Sequence, residues 1–296
     1  MRPETSRPVF IIGGSRTGST MLKTILSMNP ELCLTDELLF RSPPWIHRDL
    51  VRDIEIHVGP LDKAGALDRL LNLFYSGIPV GWFWSVSERL LDRDMLYEEL
   101  SGRFLDLRTI FDAILVVRAR MTNKTRIGAK FPMHYSFASL LMDWYPDCRL
   151  IHTTRNPKAV YASQAVKYIK SDQSRLTKAF VRFQQFVHIN IQISWTARLH
   201  RDLQGLPNYR LLRYEDLVLE PETQIRQLCD FLEIDFQPDM LKPEQFGSSF
   251  KDIGKKNRGI ERSSIERWRT AISRPTAKTI DLLHRRAYRT LGYKND

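Results

Sequence analysis

The chain has 296 residues, 43% of them hydrophobic and 27% charged, with a formal net charge of +11. That length and apolar fraction are enough for a full globular core, and no apolar run reaches membrane-spanning length, which excludes a helical membrane span. The positive balance points to an anionic cofactor or acceptor, or to a solubilising basic surface; its basic residues are dispersed and accompany no nucleic-acid-binding motif, so no nucleic-acid partner is expected.

The first element predicted is a buried strand over Val9–Ile12. Its apolar run is too short, and too quickly followed by Gly13-Gly14, to be a signal-peptide core. The chain then turns through Ser15 to Gly18 and opens a helix at Ser19-Thr20. That helix buries Met21, Leu22, Ile25 and Leu26 and stops at Asn29-Pro30. Strand, small-residue loop and helix N-terminus together form an anion cradle, because free backbone N–H groups and the positive end of the helix dipole face the loop. The spacing nearly satisfies the triphosphate pattern G-x-x-x-x-G-K-S/T, with Gly13 and Gly18 as its glycines. Ser19 stands where the lysine is required, and Arg16 places a cation inside the loop instead. The competing interpretation is a glycine-rich turn that merely packs strand on helix.

A short strand over Leu32–Leu34 leads to Asp36 and Glu37. Residues 40–125 carry Trp45, Trp82, Phe83 and Trp84, and have helical periodicity over Lys63–Tyr75, Asp92–Leu100 and Phe104–Val117. They are expected to form a helical, aromatic-rich insertion or lid within one α/β domain spanning 1–296. Strands follow at Ile127–Phe131 and Cys148–Thr153. After the second, Asn156 is a suitable N-cap and Pro157 a suitable first helical residue, for a helix running to Tyr168. A longer helix covers Arg175–Leu203, a strand Tyr209–Arg213, and a helix Pro221–Leu232. Residues 247–262 are predicted to be a loop, with closing helices over Ser264–Ile272 and Pro275–Leu291. Strands alternating with helices imply an α/β fold with a mainly parallel central sheet. Cys33, Cys148 and Cys229, odd in number and widely spaced, imply buried free thiols in a reducing, cytoplasmic setting. With no metal-ligand spacing in the sequence, no metal site is expected.

Open parallel sheets hold ligands beyond the carboxyl ends of their strands. That rule gathers the Ser15–Thr20 loop, Asp36-Glu37, Lys130 and Arg155 at one edge. Ser163 lies seven residues beyond Asn156, nearly two turns, and so shares its helix face. With Arg155 it forms a second candidate anion grip; alternatively, Arg155 caps nearby carbonyls.

The ordered set of segments resembles the sulfotransferases that use 3′-phosphoadenosine 5′-phosphosulfate (PAPS), in particular their bacterial and tyrosylprotein-type members. Ser15-Arg16-Thr17-Gly18-Ser19-Thr20 resembles the phosphosulfate loop. Arg155-Asn156-Pro157 with Ser163 resembles the 3′-phosphate motif. Lys130-Phe131-Pro132-Met133-His134, Arg213-Tyr214-Glu215-Asp216-Leu217 and Ser263–Arg269 resemble three further family segments, the last with Glu266 in place of a glycine.

The resemblance implies a P-loop-like fold and sulfuryl transfer from PAPS to an acceptor hydroxyl or amine, with adenosine 3′,5′-bisphosphate as the product. It implies that Ser15, Arg16, Thr17, Gly18, Ser19 and Thr20 cradle the phosphosulfate, that Arg155 and Ser163 hold the 3′-phosphate, and that Tyr214 lies near the nucleotide. Glu37 is implied as the base, with His134 as the runner-up, and Lys130 and Arg16 as the cations on the reacting oxygens; without the family match, Asp36-Glu37 reads as surface or helix-start carboxylates. Lys255, Lys256 and Arg258 would close over the 3′-phosphate side. The acceptor is a small molecule, carbohydrate, lipid or phenol, and the oligomeric state is not legible. Two alternatives stand beside this one: a P-loop kinase or NTPase with a degenerate loop, and a non-catalytic nucleotide-binding module.

Overall fold

The computed structural model describes residues 3–35, 40, 49–77, 90–132, 137–246, 256–258, 260 and 262–293. In chain order the elements are β1 (Glu4–Gly13), α1 (Ser19–Ser27), β2 (Leu32–Thr35), α2 (Leu50–His57), α3 (Ala66–Tyr75), α4 (Arg93–Leu100), α5 (Leu107–Met121), β3 (Arg126–Pro132), α6 (Ala138–Trp144) and β4 (Arg149–Thr154). Then follow α7 (Pro157–Tyr168), α8 (Arg175–Leu203), β5 (Tyr209–Arg213), α9 (Tyr214–Leu219), α10 (Pro221–Leu232), a 3-10 turn (Pro238–Leu241), β6 (Glu244–Phe246), β7 (Lys256–Arg258), α11 (Ser263–Glu266), α12 (Trp268–Ala271), α13 (Arg274–Leu283) and α14 (Arg285–Thr290).

Five strands form one mainly parallel sheet in the order β2-β3-β1-β4-β5, and β2 pairs with β3 in parallel register from Leu32↔Arg126 to Thr35↔Ala129. This is the α/β fold expected. A separate antiparallel pair joins β6 to β7. The chain divides into two compact units: Met1–Ile11 with Asn29–Leu150, and Ile12–Met28 with Ile151–Asp296.

In the first unit, the apolar run of β1 and the buried face of α5 meet in an aromatic cluster. The Phe10 ring lies 6.2 Å from Phe111, 5.9 Å from Phe131 and 5.5 Å from Tyr145, and Phe40 lies 4.9 Å from Phe111. Rings at these separations exclude water and add edge attraction to area burial. Tyr145 donates its hydroxyl to Asp112, so the one polar tip in the cluster is satisfied. The helices of this unit start where a short acidic side chain satisfies a free amide: Asp49 accepts from Arg52 N, Asp92 from Met95 N and Asp106 from Thr109 N. The Asp49 cap explains α2, a helix not among those predicted. α6 was likewise unpredicted; it is a seven-residue helix with no side-chain cap.

In the second unit, α7 and α8 pack through Val160, Tyr161 and Ile189 together with Ile280, while Ala159 and Ala162 receive Trp268. Lys158 is buried, paired with Asp281 at 3.0 Å and set over the Trp268 ring at 4.3 Å. Each predicted closing helix is in fact a pair, divided at Arg267 and at the buried His284. Cys33, Cys148 and Cys229 are buried free thiols, and burial pushes Cys148 up to about 12. Among the described residues, no helix is long and apolar enough to cross a membrane.

Candidate active site

The loop after β1 is built by its neighbours in the second unit. Thr153 Oγ1, at the end of β4, donates to Ile12 O at 3.2 Å and lies 2.8 Å from Thr17 Oγ1. Thr17 also donates to Gly14 O at 2.8 Å, which closes the turn on itself with a buried hydroxyl. Ser15 is held from two helices. Gln164 of α7 donates to Ser15 Oγ at 3.0 Å, and Gln192 of α8 donates to Ser15 O at 3.1 Å. Gln192 lies so close that a Cβ on Gly14 would meet its Nε2 at 2.0 Å. Glycine at 14 is thus the space that Gln192 occupies.

Arg16 adopts φ 67, in the left-handed region that non-glycine residues enter at a cost of about 1–3 kcal/mol. Its conformation is held at both ends. The Arg16 carbonyl accepts from Arg155 Nη1 at 3.4 Å, and its side chain donates from Nε to Ser163 Oγ at 2.8 Å. Arg155 precedes α7 and Ser163 lies in its second turn, so α7 is the strut on which both predicted grips are mounted. The loop ends at Gly18, with φ 90, where an added Cβ would fall 2.3 Å from Tyr214 Cδ2. Gly18 gives α1 no side-chain cap, so the amides at that helix start have no capping side chain.

Arg155 is the centre of the second grip. Its Nη2 donates to Ser264 O at 2.7 Å, its guanidinium stacks over Tyr214 at 4.2 Å, and its Nε is buried without a partner. Burial lowers its pKa, partly opposed by Tyr214 and Glu215. Tyr214 OH lies 2.5 Å from Ser264 Oγ. Glu215 accepts from Asn156 N at 2.9 Å and from Tyr293 OH at 3.1 Å, and burial raises its pKa. Arg213 grips Asp216 with both Nε and Nη2, at 2.6 and 2.9 Å. Every polar residue of Arg213–Asp216 therefore has a place around the start of α7 or within its own turn.

The structure thus brings together Ser15, Arg16, Thr17, Gly18, Arg155, Ser163 and Tyr214 around one loop. Ser19 is buried and Thr20 exposed at the start of α1. Lys130 is buried in β3 of the other unit. Glu37, His134 and Lys255 lie outside the described residues, and Lys256 and Arg258 belong to β7. Gln164, Gln192 and Tyr293 were not predicted, and Ser264 had no role of its own although it lies in the family-like segment Ser263–Arg269. Gln164 follows Ser163 directly, so an amide beside a suspected ligand residue was the one available clue; Gln192 carries none.

A sequence model described as "Sulfotransferase family" matches residues 8–238. An omega-hydroxy-beta-dihydromenaquinone-9 sulfotransferase of Mycobacterium bovis is 25% identical over 282 residues, covering 83% of this chain and 68% of its own. An uncharacterized protein of Aquifex aeolicus is 24% identical over 278 residues, 90% of this chain, and this chain spans only 31% of its length. Among solved structures, the sulfotransferase domain of the Synechococcus PCC 7002 olefin synthase superposes with TM-score 0.59 at 21% identity, covering 99% of this chain and 98% of that one. Mouse sulfotransferase SULT7A1, complexed with PAP, superposes with TM-score 0.52 at 12% identity, covering 97% and 86%.

Proposed function

This chain belongs to the sulfotransferase family, and from that premise we propose that it transfers the sulfuryl group of PAPS to an acceptor hydroxyl or amine by in-line displacement, releasing adenosine 3′,5′-bisphosphate. The observation that supports this reading is the mounting of the two candidate anion grips on one helix. Arg155 at the head of α7 holds the Arg16 carbonyl, and Ser163 two turns on holds the Arg16 side chain. A ligand with phosphate at both ends of one nucleoside matches two grips fixed to a common strut; a mouse sulfotransferase of the same fold is complexed with PAP.

In this scheme Arg16 and the uncapped start of α1 neutralise the 5′-phosphosulfate. Ser163 accepts from Arg16 and so keeps its own proton to donate to the 3′-phosphate. Arg155 has a buried Nε without a partner, a donor that an anion would satisfy. Tyr214 flanks the nucleotide from its place on Gly18. Glu37 takes the acceptor proton as the acceptor oxygen bonds to sulfur. The bridging S–O bond breaks with its electron pair passing to the 5′-phosphate, where Arg16 and Lys130 stabilise the charge. Such transfers leave the protein little covalent work, so positioning and electrostatics supply the rate. The aromatic-rich 40–125 segment is assigned the acceptor side. A relative named for a hydroxylated menaquinone puts lipid alcohols first among acceptors to try.

The test is transfer from labelled PAPS to a panel of lipid alcohols, phenols, sugars and peptides. Transfer to one class, lost in Glu37→Gln with bisphosphate affinity intact, supports the scheme. Tight nucleotide binding with no transfer to any acceptor would reassign the chain as a binding module.

A further inference from the structure

Among the described residues, three other than glycine have positive φ: Arg16 at 67, Asn123 at 53 and Glu233 at 57. Asn123 and Glu233 follow the last turns of α5 and α10, where a left-handed residue is the ordinary way to end a helix. Arg16 ends no helix. Its φ is set by the peptide unit that joins it to Ser15. Turning that one unit over by about 180° would carry Arg16 from φ 67 to about −113, in the broad region that L residues prefer, with Ser15 ψ compensating. The local preference of Arg16 is therefore for this peptide the other way up, and a neighbour must hold it as it is.

Gln192 holds it. Its Nε2 donates to Ser15 O at 3.1 Å, Ser15 Oγ lies 3.5 Å from its Oε1, and His188 one turn earlier bonds the same side chain. A peptide unit is planar and trans, so its C=O and N–H point in opposite directions. With Ser15 O drawn towards α8, the Arg16 N–H points out of the other side of the loop. The neighbouring units are held likewise, Gly14 O by Thr17 Oγ1 and Arg16 O by Arg155 Nη1. Gln192 is only 3% exposed and lies between Ile189 and Ile193 on the buried face of α8, where an apolar side chain would pack with no polar group to satisfy. Its approach also requires glycine at 14, since a Cβ there falls 2.0 Å from Nε2. A buried amide that needs a glycine opposite it is placed for its bond, not for its volume.

We propose that Gln192 is a positioning residue for the anion cradle: it keeps the Ser15–Arg16 peptide in its strained orientation, so that the Arg16 N–H, and not the Ser15 carbonyl, faces the 5′-phosphosulfate. The inference rests on the reading of Ser15–Thr20 as the phosphosulfate cradle and adds the group that sets its polarity. The two orientations differ in sign. As the peptide stands, the positive end of its dipole meets the anion; turned over, a carbonyl oxygen would meet it and repel it. Gln192 touches no nucleotide in this scheme and acts only through the Ser15 carbonyl. Its influence falls on the 5′ end of the ligand, because the 3′-phosphate grip, Arg155 with Ser163, is carried by α7.

The experiment titrates the wild-type chain, Gln192→Met and Gln192→Glu with adenosine 3′,5′-bisphosphate, adenosine 3′-monophosphate and inorganic pyrophosphate, following the Arg16 backbone amide by NMR. In the wild type the bisphosphate and pyrophosphate move that amide signal downfield and the 3′-monophosphate does not. Gln192→Met, close in volume but without a donor, binds the bisphosphate and pyrophosphate at least about tenfold more weakly and loses the Arg16 shift. It keeps its affinity for the 3′-monophosphate, the sign of a folded site. Gln192→Glu is equally weak at neutral pH, where a carboxylate faces the Ser15 carbonyl, and recovers relative to wild type as acid turns the carboxyl into a donor. A glutamine with a merely structural role would lower all three affinities together and show no recovery in acid; that pattern overturns the proposal. Equal bisphosphate binding by the wild type and Gln192→Met overturns it as well, and leaves the sulfuryl-transfer reading intact. Pyrophosphate binding that depends on Gln192, with no binding of the bisphosphate, upholds the peptide lock and overturns that reading instead. An Arg16 amide that answers to none of the three ligands overturns the proposal.

Discussion

Arg16 Nε donates to Ser163 Oγ at 2.8 Å, which ties the loop after β1 to the second turn of α7. Because Arg155 at the start of the same helix holds the Arg16 carbonyl, one residue of the loop is fixed from two points of one rigid element. The consequences for binding and stability can be measured separately.

Ser163 supports Arg16 and, in the proposed scheme, donates to the 3′-phosphate. Ser163→Ala is expected to weaken adenosine 3′,5′-bisphosphate binding by about tenfold, the weight of one charge-assisted hydrogen bond, while Ser163→Thr retains most of the affinity. Titration calorimetry reads both. An alanine variant that binds as tightly as wild type removes Ser163 from the site.

Gly14 and Gln192 share one space. Gly14→Ala sets a Cβ 2.0 Å from Gln192 Nε2 and is expected to cost about 1–3 kcal/mol of stability. Gln192→Ala loses the bond to Ser15 O and costs about 1–3 kcal/mol. The double variant should be clearly more stable than the sum of the two, since removing the amide makes room for the methyl. Simple additivity in chemical denaturation would show that the contact does not constrain the loop.

Gly18 is constrained by conformation and by contact. Gly18→Ala is expected to lose about 2 kcal/mol or more, because φ 90 strains any side chain and the Cβ meets the Tyr214 ring. Tyr214→Ala relieves the contact and leaves the backbone strain, so it should rescue only part of the melting temperature. Complete rescue would mean that the left-handed conformation carries no penalty.

Acid should destabilise the fold through His152. Complete burial holds its ring neutral down to about 3, against 6.5 for a free imidazole. Between those values the unfolded chain binds the extra proton, so stability falls as pH drops below about 6.5, by up to ~1.4 kcal/mol per pH unit. His284, lowered to about 4, adds to the same slope. His152→Asn offers Tyr209 an amide in place of the Nδ1 now 2.9 Å from its hydroxyl, and it should flatten the dependence of melting temperature on pH below neutrality. An equally steep curve in that variant assigns the acid sensitivity elsewhere.

Much of this was legible in the sequence because the relevant signals are local. Asn156-Pro157 marks the start of α7, and Asn156 Oδ1 does accept from Lys158 N at 2.9 Å. The Gly13–Gly18 spacing gives the loop, and the apolar run at Val9–Ile12 the core of β1. The polar stretch Glu4–Arg7 extends that strand without apolar alternation; Glu4 N reaches Thr125 O at 2.6 Å, a partner that composition does not announce. Gln192 lies 177 residues from Ser15, and a neutral amide has neither charge nor turn propensity to mark it. Ser264 takes part through its carbonyl, which any residue carries, and through its hydroxyl, which meets Tyr214 OH. α2 was missed because it is only eight residues long and lies between Pro43-Pro44 and Gly59-Pro60, whose turn character dominates the window.

The central claim is that Arg16–Thr20 and Arg155 with Ser163 grasp the two ends of one bisphosphorylated nucleoside. Metal-free titration of adenosine 3′,5′-bisphosphate into the wild-type chain and into Arg155→Ala, with ATP–Mg²⁺ run alongside, tests it most directly. The account predicts saturable bisphosphate binding in preference to ATP, weakened about a hundredfold in Arg155→Ala. Preference for ATP–Mg²⁺, or bisphosphate binding indifferent to Arg155, would contradict it.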